Sequence, residues 1–216
     1  HNSGTVTLTT PAATTVDLVP PSGNGLNHFI INNGGNNVEW AANATIIKGD
    51  LTITAGTFKG YSAGYTLTVD GNVSVTGTLE GGTAAMSFGS LTIAGGGTYD
   101  ATSGVTTIDS ENGSGLAIDI DGVFVHNSGT VTIVTEANTT ADLIPASGNN
   151  LNDLIINHNS CVIELKGATT IDGDLTVTDG TLTTESSSDN LTVTGDVTVG
   201  ASGNLGPVSY THLTLP

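Results

Sequence analysis

The segment HNSGTVT stands at residues 1–7 and again at 126–132, an offset of 126 − 1 = 125. The match continues with Asp17-Leu18 on Asp142-Leu143, Pro20 on Pro145, and Ser22-Gly23-Asn24 on Ser147-Gly148-Asn149. Leu26-Asn27 aligns with Leu151-Asn152, and Ile30-Ile31-Asn32 with Ile155-Ile156-Asn157. Over residues 1–32, 22 positions are identical to their partners. Further along the offset becomes 173 − 49 = 124, where Gly49-Asp50-Leu51-Thr52 meets Gly173-Asp174-Leu175-Thr176. Repetition of this kind favours architectures in which each unit buries its apolar side against the next. The organisation read from it is a first unit over 1–125, a second, truncated unit over 126–207 continuous with the first, and a tail over 208–216.

A finer motif lies inside the unit: Gly, then Asp, Asn or Ser, then apolar–Thr/Ser–apolar, usually closed by a Gly-Thr turn. It begins at Gly49, Gly71, Gly89, Gly173 and Gly195, with spacings of 71 − 49 = 22, 89 − 71 = 18 and 195 − 173 = 22. The spacing predicts coils of about 18–22 residues built from several short strands. Period-two alternation sets Leu51 and Ile53 against Thr52 and Thr54, Val73 and Val75 against Ser74, and Val197 and Val199 against Thr198. The fold class expected is therefore all-β, a parallel β-solenoid with inward aliphatics stacked coil on coil. Tandem β-sandwich modules rank second, because they call for longer strands and a larger aromatic core. No stretch carries apolar residues at helical spacing.

Aromatics make up 4% and apolar residues 37% of the chain, so the core is expected to consist of Val, Ile, Leu and Ala. Turns fall to Gly, Asn and Asp, which accept positive φ. Asn24, Asn32, Asn149 and Asn157 recur in both copies and are candidates for ladders along the stack or for simple turn residues. Twenty acidic residues against three Lys and no Arg give a net charge of −17, which disfavours nucleic acid and anionic membrane surfaces as partners. Cys161 is the only cysteine, so neither a disulfide framework nor a cysteine-rich zinc site arises. No apolar run is long enough to span a bilayer. No signal peptide is present, and a chain opening at His1 is read as a piece of a longer reading frame.

The pattern LNxxIIN, an apolar strand and then GDLTVT-GTLTT, carried by Leu26 to Asn32, Gly49 to Thr57, Leu151 to Asn157 and Gly173 to Thr183, resembles the β-strand repeats of large secreted bacterial proteins. Autotransporter-type and filamentous-haemagglutinin-like adhesins are examples. The resemblance implies a parallel β-solenoid displayed on, or released from, a bacterial cell surface. The tail VSYTHLTLP at 208–216 resembles a translated sequencing adapter and breaks the repeat, which implies a metagenomic fragment; Tyr210 and His212 are expected to carry no function.

No catalytic, cofactor-binding or metal residue is expected. His1, His28, His126, His158 and His212 read as exposed turn residues, and His28 and His158 are not kept between copies, facing Asp153 and Asn33. Asp119-Ile120-Asp121-Gly122 and Asp172-Gly173-Asp174 match no calcium loop. Glu39 aligns with Glu164, and alternation places it on a strand exterior between Val38 and Trp40, where it solubilises. Cys161 replaces Asn36, a sign of drift. Thr-x-Thr pairs at Thr5/Thr7, Thr52/Thr54, Thr66/Thr68, Thr130/Thr132, Thr176/Thr178 and Thr192/Thr194 raise an ice-binding surface as an alternative. Ser74/Thr76, Thr92/Ala94 and Thr198/Gly200 interrupt the lattice. A polysaccharide-lyase-like enzyme would need a basic residue in a groove, yet Lys48, Lys59 and Lys166 have no counterparts between copies.

The function expected is a structural or adhesive segment of a large secreted or cell-surface protein, without catalysis; an ice-binding or carbohydrate-binding solenoid is the alternative. Its partners would be host or environmental surface glycans or proteins, and further copies of its own repeat. Nucleic acid and membrane insertion are not expected.

Overall fold

The computed structural model describes residues 3–9, 15–19, 25–41, 45–60, 62, 64–135, 140–145, 147–207 and 209–210. These form strands and turns without helix, and every strand pairing is parallel. The chain is a parallel β-solenoid, the fold class the sequence predicts, and has about eight coils. Each coil has three sides, called here faces A, B and C, visited in that order.

Face A stacks residues 5–8, 28–31, 51–53, 73–75, 91–93 and 118–120, and continues through 142–144 and 162–165. Face B stacks residues 16–18, 38–40, 58–60, 78–80, 98–100 and 123–125, with 169–171 and 191–193 further down. Face C stacks residues 45–47, 67–69, 86–88, 106–108, 131–133, 154–156, 175–177 and 197–199. The strands His28–Trp40 and Leu175–Thr184 bend around a corner, so each contributes to two faces. Most registers step by 18–23 residues, within or close to the expected coil length. The coils around residue 110 are longer: Ile93 pairs with Ile120, 27 residues on, and Ile108 with Ile133, 25 residues on. The extra length turns at Asn112, whose Oδ1 accepts the N–H groups of Ser114 and Leu116.

The inward rows follow from alternation. On face A, Phe29, Leu51, Val73, Leu91, Ile118 and Leu143 stand one above another, and Ile31, Ile53, Val75, Ile93 and Ile120 form a second column. On face C, Ile47, Val69, Phe88, Ile108, Ile133, Ile156 and Val177 do the same. All are at most 1% exposed. Val197 is half-buried and Val199 is 45% exposed, since they occupy the last described rung of their face.

The expectation of a purely aliphatic core needs correcting. All four Phe and the single Trp point inward, joined by Tyr99. Phe58 sits edge-on between Phe29 and Trp40, at centroid distances of 5.9 and 4.7 Å, and Tyr99 likewise links Phe88 and Phe124 at 5.9 and 5.7 Å. Few aromatics suffice because a narrow triangular interior needs bulk at only a few levels. In the second copy Leu154, Leu165 and Leu182 take the places of Phe29, Trp40 and Phe58.

The two copies occupy different faces. Residues 5–8 and 28–31 lie on face A, while their counterparts 130–133 and 153–156 lie on face C. Six rungs of face A precede residue 130, so one unit spans five full coils and two sides of a sixth, or 5 × 3 + 2 = 17 sides. Equivalent surface therefore returns a third of a turn out of phase. The strands stack across residue 125 without a break, since residues 105–108 pair with 130–133. In the tail, Ser209 and Tyr210 pair through the backbone with Asn190 and Leu191.

Candidate functional site

The corner entering face A explains the Gly–Asp/Asn/Ser motif. The backbone N–H of Asp50 donates to His28 Nδ1 at 3.0 Å, that of Asn72 to Asp50 Oδ1 at 2.9 Å, and the Ser90 hydroxyl to Asn72 Oδ1 at 2.7 Å. His28 and Asp50 thus cap a backbone N–H one coil away, and Asn72 accepts a hydroxyl from the next coil. The preceding glycine is needed because a Cβ on Gly71 would meet Asp50 Oδ1 at 2.5 Å. The second copy repeats the device on the corner entering face C. There Asp153 accepts from the N–H of Asp174 at 2.9 Å and Asp174 from that of Asp196 at 2.8 Å. His28 and Asp153, unlike in chemistry, therefore do the same job. Asp174 of the acidic cluster is engaged here, while Asp172 accepts both bonds of the Asn150 amide, at 3.0 and 3.1 Å.

Of the four asparagines that were candidates for ladders or turns, Asn149 crosses coils. It accepts from the N–H of Phe124 at 2.7 Å and donates to Gly122 O at 3.0 Å. Asn32 and Asn157 are exposed, and Asn24 lies outside the described residues.

The charged rows follow the repeat. On face B, Asp17, Glu39, Lys59, Glu80 and Asp100 occupy one outward position on five successive rungs. Lys59 Nζ stands 3.7 Å from Glu39 Oε1. The second copy carries the row to face A as Asp142 and Glu164, with Thr183 in place of the lysine. Lys166 compensates from the rung end, at 2.6 Å from Glu164, 3.0 Å from Glu185 and 3.7 Å from Asp142. Hydrogen bonds to Glu164 and Glu185 hold its pKa above the usual lysine range. Burial raises the Asp142 pKa, opposed in part by Lys166. Lys48 pairs with Asp70 of the next rung at 2.8 Å. Each such lysine relieves repulsion between like charges on adjacent strands.

The remaining candidates scatter. An open recess of about 220 Å³ beside Lys59, lined by Ser62, Glu80 and Gly60, is smaller than the roughly 300 Å³ at which small-molecule pockets begin. Burial, then the charge of Asp121, raises the Asp119 pKa. Among the described residues no three His, Cys, Asp or Glu side chains gather as a metal site. His126 accepts from the N–H of Ser128 at 3.0 Å, and its Nε2 lies 3.5 Å from Asp172. His158 departs from the expected exposed turn: its Nδ1 is buried without a hydrogen-bond partner. Cys161 is 1% exposed and hydrogen-bonds the Thr135 hydroxyl at 2.7 Å, and burial pushes its thiol pKa up. His1 and His212 lie outside the described residues.

The Thr-x-Thr pairs divide among the faces. Thr5/Thr7 and Thr52/Thr54 belong to face A, Thr66/Thr68, Thr130/Thr132 and Thr176/Thr178 to face C, and Thr192/Thr194 to face B. No family model, no curated protein and no solved structure matches this chain.

Proposed function

We propose that this chain is a segment of a structural or adhesive shaft on a large secreted or cell-surface bacterial protein, without catalysis, and that it projects binding elements toward surface glycans or proteins. The observation that carries this reading is the uninterrupted parallel stack across the boundary between copies, with residues 105–108 hydrogen-bonded to 130–133. Stacking of this kind lets further units extend the rod without a hinge. The polar outer rows, with each lysine within 4 Å of a carboxylate, support a solvated exterior.

Joining three copies of residues 1–125 tests the proposal. Each added unit should lengthen a straight particle seen by electron microscopy by roughly 27 Å, from 17 sides at three per coil and about 4.8 Å per coil. Beads on a string, or turnover of pectin or alginate by the chain, would refute it.

A further inference from the structure

The phase difference between copies has a consequence on face C. The first copy contributes the outward residues Ile46, Thr68, Ser87 and Thr107 there, and the second contributes Thr132, Ile155, Thr176 and Thr198. One central row thus runs through eight successive rungs without a charge, on a chain of net charge −17. The acidic rows fall instead on face B in the first copy and face A in the second.

We infer that face C is the surface through which two copies of this chain lie side by side. Three observations select that partner. First, face C is the side on which two such acidic rods approach each other with no charge in the central row. Second, methyl-bearing and hydroxyl side chains spaced by one rung form ridges and grooves, and a second copy carries the same spacing by construction, so one row drops between the side chains of the other. Third, the margins are self-complementary. Carboxylates at the corner entering the face sit low in the stack, at Asp153, Asp174 and Asp196, while the same margin higher up carries Thr66, Ala85 and Val105. A two-fold axis along the strands inverts the rung order, so these acids face uncharged positions on the partner's same margin, and Lys48, Asp70 and Asp109, high on the opposite margin, face its uncharged lower positions Gly200, Thr178 and Val134.

The contact is modest. Seven steps of about 4.8 Å and a width of three outward positions give roughly 450 Å² per copy, or about 900 Å² in total, below the roughly 1,200 Å² of a standard interface. Pairing is therefore weak and concentration-dependent for this chain, and would grow by avidity in a longer shaft. It does not depend on the adhesive role proposed above.

Sedimentation equilibrium of the purified chain tests the inference. The expected result is a mean mass that rises from monomer toward dimer at roughly 0.1–1 mM protein. Association should strengthen with added salt, which screens the repulsion between copies. Thr107→Glu with Thr132→Glu, at the centre of face C, should weaken it at least tenfold. Thr52→Glu with Ser74→Glu, at the matching outward positions of face A, should leave it unchanged, and far-UV circular dichroism checks that both variants fold. A chain that stays monomeric throughout overturns the inference, even if it pellets with crystalline cellulose or shows thermal hysteresis, and so does equal weakening by the face A pair. If a variant fails to fold, a wild-type chain that stays monomeric still overturns the inference, and Thr107→Asp with Thr132→Asp repeats the comparison of faces.

Discussion

Asp174 Oδ1 accepts the backbone N–H of Asp196 at 2.8 Å, and a Cβ placed on Gly195 would collide with that same oxygen. The carboxylate and the missing side chain are two halves of one device, repeated from Asp50, Asn72 and Gly71 on another face. Asp174→Ala should cost about 1 kcal/mol, because the site is exposed and water replaces part of the bond. Asp174→Asn, which keeps an acceptor, should cost less. Gly195→Ala should cost about 1–3 kcal/mol, since Gly173 O also crowds the site. In the Asp174→Ala background the glycine substitution should become milder, and a double-mutant cycle in urea reads that coupling. Strict additivity would show that the two residues act separately.

Phe58 is wedged between Phe29 and Trp40 with no solvent exposure. Phe58→Ala should destabilise by about 3–5 kcal/mol. Phe58→Leu, the residue used by the second copy at 182, should cost only about 1–2 kcal/mol. Coils contact only their neighbours, so hydrogen exchange should show protection lost first around residues 29–31, 51–58 and 78–80. Uniform loss along the whole chain would argue against nearest-neighbour stability.

Asp119 has its pKa raised by burial and by Asp121. A raised carboxyl pKa means that the folded chain holds its proton more tightly than the unfolded one. Stability then falls as pH climbs from the ordinary aspartate range through the folded pKa. Asp119→Asn should therefore raise the thermal midpoint near pH 7, and the gain should vanish below about pH 4, where both states are protonated. A lower midpoint at neutral pH would show that the carboxylate is favourably placed after all.

The solenoid was legible because period-two alternation and repeat spacing are local signals: Leu51, Ile53, Val73 and Val75 could be placed inward from the sequence alone. The Gly–Asp motif was visible, but its purpose was not, since the bond from the Asn72 N–H to Asp50 joins residues that meet only once coil length is fixed. The charged row through Asp17, Glu39, Lys59, Glu80 and Asp100 was hidden for the same reason. Its members are spaced by 22, 20, 21 and 20 residues, and one residue of error would scatter them. The one-face shift between copies depends on the longer coils around residue 110, where no instance of the motif marks the path. Asn33 and Asn36 meet inside a corner at 3.1 Å, whereas composition alone would send asparagines outward.

Cys161 is enclosed, hydrogen-bonded to Thr135, and pushed by burial toward a higher thiol pKa. Reaction with a thiol reagent needs the thiolate and needs access, and the folded chain restricts both. The native protein should therefore label with Ellman's reagent on the order of a hundredfold more slowly than the same chain in urea, at a rate set by opening of its coil. Thr135→Val keeps the shape of the neighbour but removes the hydrogen bond, which lowers the thiol pKa; labelling of the folded variant should be no faster unless the coil opens more often. Thr135→Ala leaves a gap beside the sulfur and should accelerate labelling through that opening. Rapid stoichiometric labelling of the folded wild-type chain would place Cys161 at the surface and contradict its enclosure beside Thr135.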